Sequence, residues 1–158
     1  MQDIANVMVE TNIDGMIISN TTNARPGFLL SKNRYETGGL SGAPIRERST
    51  ECIRTLYKLT NGDIPIIGVG GVGSGRDAYE KIKAGASLIQ VYSMMVYEGP
   101  GLISRIRQEL AEIIEENGHR SVEDIVGADC EEIYWKKRED RVNQKIKEAG
   151  LGTTHIEM

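Results

Sequence analysis

Short apolar runs alternate with amphipathic stretches along this chain. Ile4, Val7 and Met8 share one face of a helix that Asp3 can cap. Gly15-Met16-Ile17-Ile18 reads as a short strand. Ile53, Leu56 and Tyr57 then recur at helical spacing, after a Ser49 or Thr50 cap and before the stop Asn61-Gly62-Asp63. Residues 64–69 form a second strand, and Ile66, Ile67 and Val69 predict burial on both faces, as in a parallel sheet. A helix over 76–84, opened at Ser74, Gly75 or Asp77 and stopped at Gly85, leads to a third strand over 87–92. A loop through Gly99-Pro100-Gly101 opens a longer helix from 102 to about 116, with Ile103, Ile106, Leu110 and Ile113 facing in.

The predicted order α-β-α-β-α-β-α belongs to the α/β class, with parallel strands and right-handed crossovers. Three strands are too few to cover such a sheet, and a closed barrel of alternating units needs eight. The pattern therefore predicts a piece of a larger domain. Residues 131–158 differ: six acidic and six basic side chains balance there, and Ile133, Trp135, Val142 and Ile146 are only weakly periodic. They predict a charged surface helix or a disordered extension, with Trp135 as its packing residue.

With 158 residues, the chain can hold one domain with a core. A net charge of −4 gives nucleic acid no electrostatic support. Cys52 and Cys130 stand far apart, and with only His119 and His155 beside them the pattern argues against a zinc site. Cys52 reads as a packed helical residue rather than a reactive thiol. No apolar stretch is long enough to span a bilayer.

The candidate chemistry lies where the strands end. The second strand runs into Gly68, Gly70, Gly71, Gly73 and Gly75. Glycines there let the backbone approach a ligand and expose its N–H groups, and a following helix N-terminus favours an anion. Gly68 to Gly73 also fits the dinucleotide pattern GxGxxG, but that reading wants an acid at the end of the next strand. Gln90-Val91-Tyr92-Ser93 provides none. The first strand ends in Ser19-Asn20-Thr21-Thr22, whose amide and hydroxyls suit a planar polar ligand. A capped turn is the alternative for one such ending, but polar or glycine-rich residues close all three strands, which favours a shared site. A second glycine-rich loop, Glu36 through Gly42, also suits close approach to a ligand. Arg25, Arg34 and Arg46 are candidate anion or lid residues, though each taken singly reads more readily as a solvated loop charge.

The segments SNTTNARPG (19–27), ETGGLSGAPIRERST (36–50), PIIGVGGVGSGRDAYEKIKAGASLIQVYS (65–93) and YEGP (97–100) closely resemble class 2, quinone-using dihydroorotate dehydrogenases, over about residues 3–130. The resemblance implies a (β/α)8 TIM barrel that holds FMN at the carboxyl ends of its strands. This chain would supply about the last three βα units, in residues 1–130, with 131–158 as an extension without counterpart. The implied activity is oxidation of dihydroorotate to orotate in pyrimidine biosynthesis, with electrons passed through FMN to ubiquinone. Ser19, Gly42, Gly71, Tyr92 and Ser93 would bind FMN, with Ser41 and Gly70 lining the same cradle; Asn20 and Thr21 would hold the substrate ring. The family's catalytic base and membrane-docking helices would lie upstream, so no catalytic residue is assigned and the chain alone is expected to be inactive. Location would be the mitochondrial inner membrane, or the cytoplasmic membrane of a bacterium. A soluble-class dihydroorotate or dihydropyrimidine dehydrogenase, and a non-catalytic truncated module, are the alternative readings.

Overall fold

The computed structural model describes residues 1–149. Helix α1 (Gln2–Glu10) precedes strand β1 (Met16–Ile18), and a long loop leads to helix α2 (Arg46–Leu59). Strand β2 (Ile66–Val69), helix α3 (Gly75–Lys83) and strand β3 (Leu88–Gln90) follow. Then come a short helix α4 (Ser93–Glu98), the long helix α5 (Gly101–Glu116) and helix α6 (Glu131–Glu148). The three strands form one parallel sheet in the order β1-β2-β3.

The sequence order is therefore present, with α4 added where an open loop was expected. Ends shifted where caps were misread. Asp3 lies within the first turn of α1, and that helix buries Ala5 and Met8 while Ile4 and Val7 are exposed. Helix α2 starts three residues before Ser49, whose hydroxyl is buried inside it. Ser74 does cap α3, accepting from the Asp77 N–H at 3.1 Å.

Register explains the two faces of the sheet. Ile18, Gly68 and Ile89 align across the strands and face the helices, with Ile66 beside them completely buried. Gly68 lets that layer close up, since a Cβ there would stand 3.0 Å from both Ala86 Cβ and Ile53 Cδ1. Ile17, Ile67 and Leu88 align on the opposite face, where Ile17 and Leu88 are 58% and 63% exposed. The expectation of burial on both faces thus holds for one face only in this chain. Among the described residues no helix lies on the other face to cover it.

The main core joins Ala5 and Met8 of α1, Ile53, Leu56 and Tyr57 of α2, and Ile66 of β2. A second cluster locks α3 to α5 through Val72, Ala78, Leu102 and Ile106. Residues 131–148 of the charged extension are helical, and the rest of it, from 150 on, lies outside the described residues. Tyr134, not Trp135, is its buried aromatic: Trp135 is 59% exposed and meets Tyr134 edge-on. Lys137 pairs with Asp63 at 2.8 Å, and Arg141 donates to the Glu123 carbonyl, tying α6 to the domain.

Asp129 stitches the approach to α6 onto α2 and α3, with Arg54 and Lys83 each 3.0 Å away. Burial works against its charge, but hydrogen bonds from Lys83 and Arg54 outweigh burial and hold the carboxyl below 3.8. A carboxyl whose folded pKa is depressed stabilises the fold above its unfolded value, and this is lost as pH falls through the folded one. Asp129→Asn is expected to lower stability by about 1 kcal/mol at neutral pH, with the difference closing as the pH falls through the depressed folded titration of Asp129. Urea denaturation midpoints at neutral and at acid pH check this.

Candidate functional site

All three strands point their carboxyl ends at one edge of the sheet, and a cavity of about 410 Å³ opens there. Ser19, Asn20 and Thr21 enter it after β1, Gly70 and Gly71 after β2, and Tyr92 and Ser93 after β3. Ser41 and Gly42 close it from the loop before α2. The structure thus brings Ser19, Asn20, Thr21, Ser41, Gly42, Gly70, Gly71, Tyr92 and Ser93, all named from the sequence, to one cavity. Its apolar wall comes from Ile17, Ile45, Val69, Val72 and Met94. No charged side chain lines it.

The cradle itself is backbone. Gly42, Gly70 and Gly71 all have positive φ, at 77°, 115° and 71°. Among the described residues their N–H groups make no hydrogen bond, and neither do those of Ser93 and Met94 at the start of α4. A Cβ at Gly71 would sit 2.7 Å from Arg46 Cβ and 2.9 Å from the Gly42 carbonyl oxygen. The two glycine loops therefore touch each other at a point where only glycine fits. Ser93 Oγ donates to Ser41 Oγ at 2.9 Å, joining the third strand end to the same loop.

The carbonyls of the glycine loop are tied back from outside. Ser49 Oγ donates to the Gly70 carbonyl at 3.1 Å, Arg46 Nε to that of Gly71 at 2.9 Å, and Arg105 to that of Gly73 at 3.0 Å. Asp77 accepts from the Gly73 N–H at 3.0 Å and pairs with Arg46 at 3.0 Å; Glu109 accepts from the Gly75 N–H at 2.6 Å.

None of the three candidate arginines lines the cavity. Arg46 holds Gly71 and Asp77, as above. Arg25 donates to the Glu36 and Gly38 carbonyls at 2.9 and 2.6 Å, clamping the glycine-rich loop against Thr21 and Thr22. Thr22 and Leu40 pair there as an antiparallel bridge. Gly39 presses so closely on Thr21 that a Cβ would stand 1.9 Å from its Oγ1. Arg34 stacks on Tyr35 outside the site.

Sequence reasoning missed Lys81, which is fully buried beneath the glycine loop. Its ammonium donates to Ser49 Oγ at 2.5 Å, Thr50 Oγ1 at 2.9 Å and the Arg46 carbonyl at 3.3 Å. Burial pushes it down to about 8, with Arg46 adding to that and Asp77 opposing it. The signal was present: Asp77 and Lys81, four apart, share the buried face of α3 with Ala78 and Ile82.

Residues 1–114 match the family model described as dihydroorotate dehydrogenase. The chain belongs to that family. The dihydroorotate dehydrogenase (quinone) of Rhodospirillum rubrum is 54% identical over 129 residues, 82% of this chain and 35% of that protein. The mitochondrial dihydroorotate dehydrogenase (quinone) of Mus musculus is 53% identical over 128 residues, 81% of this chain and 32% of its own. A crystal structure of ligand-free DHODH from Eimeria tenella superposes with a TM-score of 0.79 at 47% identity, covering 81% of this chain and 35% of that one. The chain thus spans about a third of the length of the dihydroorotate dehydrogenases it matches.

Proposed function

We propose that this chain carries the cofactor-phosphate and substrate-ring part of a quinone-linked dihydroorotate dehydrogenase site, serving pyrimidine biosynthesis. Its sheet is read as the last three strands of a (β/α)8 barrel, whose interior is the apolar face of Ile17, Ile67 and Leu88. The observation that carries the reading is the convergence of all three strand endings on one cavity with free glycine N–H groups. Barrel phosphate sites form in this way, from the loops after strands 7 and 8.

The residues present fit FMN. Gly42, Gly71 and the backbone at Tyr92 and Ser93 offer donors to a phosphomonoester, Ser19 and Ser93 add hydroxyls, and no carboxylate repels the dianion. When bound, FMN supplies the acceptor for the hydride leaving dihydroorotate. Asn20 Oδ1 accepts from the Thr21 N–H at 2.7 Å, which fixes the amide and leaves Nδ2 free to donate to a substrate oxygen. Thr21, pinned by Gly39, adds a hydroxyl beside it. These groups orient the ring. As the family resemblance implies, the base is assigned to a part of the enzyme beyond this wall, and no residue of the wall is given that role. Ubiquinone is the proposed electron acceptor, at the mitochondrial inner membrane or the bacterial cytoplasmic membrane. No helix among the described residues is long and apolar enough to cross a membrane.

Titrating the chain with FMN and then orotate, read by flavin fluorescence, tests this reading. FMN is expected to bind, orotate to bind the FMN-loaded chain, and Asn20→Ala to weaken orotate about tenfold with FMN unchanged. Dihydroorotate is not expected to bleach the flavin. Failure of FMN to bind, or equal orotate affinity in Asn20→Ala, overturns the assignment.

A further inference from the structure

The buried ammonium of Lys81 has no carboxylate of its own. The charged and titratable groups facing it are Arg46 and Cys52 from α2 and Asp77 from its own helix, while β2 presents only Gly68. Asp77 is already engaged by Arg46 at 3.0 Å and by the Gly73 N–H. Two cations and one anion therefore lie under the glycine loop, leaving one positive charge unbalanced. A buried unpaired charge is costly, and proteins retain one where something compensates it.

The contacts of Nζ suit the protonated form, because both neighbouring hydroxyls already donate to carbonyls. Three acceptors, Ser49 Oγ, Thr50 Oγ1 and the Arg46 carbonyl, surround Nζ within 3.3 Å. An ammonium has three donors for them, whereas a neutral amine has two. Because Ser49 accepts from Lys81, its own proton turns to the Arg46 and Gly70 carbonyls, at 2.8 and 3.1 Å. That pulls the Gly70 carbonyl off the cavity and leaves the Gly70 and Gly71 N–H groups at its wall without internal partners.

On the FMN reading above, we propose that Lys81 is a positioning residue of the phosphate cradle, acting through Ser49 on the glycine loop and supplying the positive charge that the bound phosphate balances. It touches neither ligand nor cavity. Its role is to hold the donors in place and to make the site electrically incomplete without an anion.

The test compares FMN with riboflavin, which lacks the phosphate, on the 158-residue chain by flavin fluorescence from pH 7 to 9.5. FMN is expected to bind about tenfold more tightly than riboflavin at pH 7, and to lose that advantage as Lys81 deprotonates around pH 8. Lys81→Met is expected to weaken FMN about tenfold at pH 7, flatten the pH profile and leave riboflavin unchanged. Cys52→Ala should keep the wild-type profile. Loss of fold does not mimic this. The Lys81 pKa is depressed from 10.5, so deprotonation stabilises the folded chain over the same window in which FMN binding weakens. A wild-type preference for FMN that is constant with pH overturns the role of Lys81 and leaves the FMN reading intact. Equal binding of FMN and riboflavin at pH 7 overturns both. The wild-type profile decides even if Lys81→Met does not fold.

Discussion

On the proposed FMN reading, the Gly71→Ala chain is expected to lose FMN binding by at least about a hundredfold, equivalent to about 3 kcal/mol. Two costs combine. Gly71 has φ of 71°, where a side chain is strained by about 1–2 kcal/mol. A methyl group there also meets Arg46 Cα and the Gly42 carbonyl oxygen, both at 2.9 Å. These are backbone atoms and cannot swing aside, so one glycine loop must move off the other. Either movement breaks the set of N–H donors at the cavity. Gly42→Ala separates strain from clash, because its φ is 77° but its nearest contact is Ser93 Cβ at 3.4 Å. It is expected to fall between Gly71→Ala and wild type. Gly101→Ala, with open space around it, is the neutral comparison. Titration with FMN ranks the three, and wild-type affinity in Gly71→Ala would remove the cradle from the proposed site.

The cavity was legible from the sequence because it is built at strand endings. A parallel sheet sends every carboxyl end to the same edge, so three polar or glycine-rich endings mean one site even without knowing the distances. Ser19, Gly71 and Ser93 needed no more than that. The supports beneath the cavity were hidden for the opposite reason. Lys81, Ser49 and Arg46 sit on helices, where charged and hydroxyl residues ordinarily mean solvent or a cap. Ser49 looks like a cap in the sequence, but α2 begins earlier, at Arg46, after a turn containing Pro44, so Ser49 lies inside the helix. Only the shared face of Asp77, Ala78, Lys81 and Ile82 marks that lysine as buried. The open face of the sheet misled in another way. Ile17, Ile67 and Val69 have the composition of residues covered on both sides, and composition does not say which chain segment covers them.

The second large effect lies in the core. Tyr57→Ala is expected to destabilise the fold by about 3–5 kcal/mol, the range for emptying a buried aromatic site. Tyr57 is 4% exposed, and its ring is enclosed by three turns, one at the end of its own helix and two distant in sequence. A Cβ at Gly62 would stand 2.7 Å from its Cζ, one at Gly85 2.3 Å from its Cγ, and one at Gly127 2.5 Å from its Oη. All three glycines have positive φ, so each turn brings bare backbone against the ring. The ring thus joins the ends of α2 and α3 to the segment leading into α6. Rigid backbone on three sides collapses poorly, which keeps the cavity term of the substitution large. A change of this size is a large part of the total stability of an ordinary domain. It corresponds to a fall of roughly 10 °C in midpoint, measurable by circular dichroism melting. Tyr57→Phe is expected to stay within about 1 kcal/mol of wild type, because it keeps the ring and removes only a hydroxyl with no protein partner among the described residues. If Tyr57→Ala melts with the wild type, the ring is not what holds these three turns together.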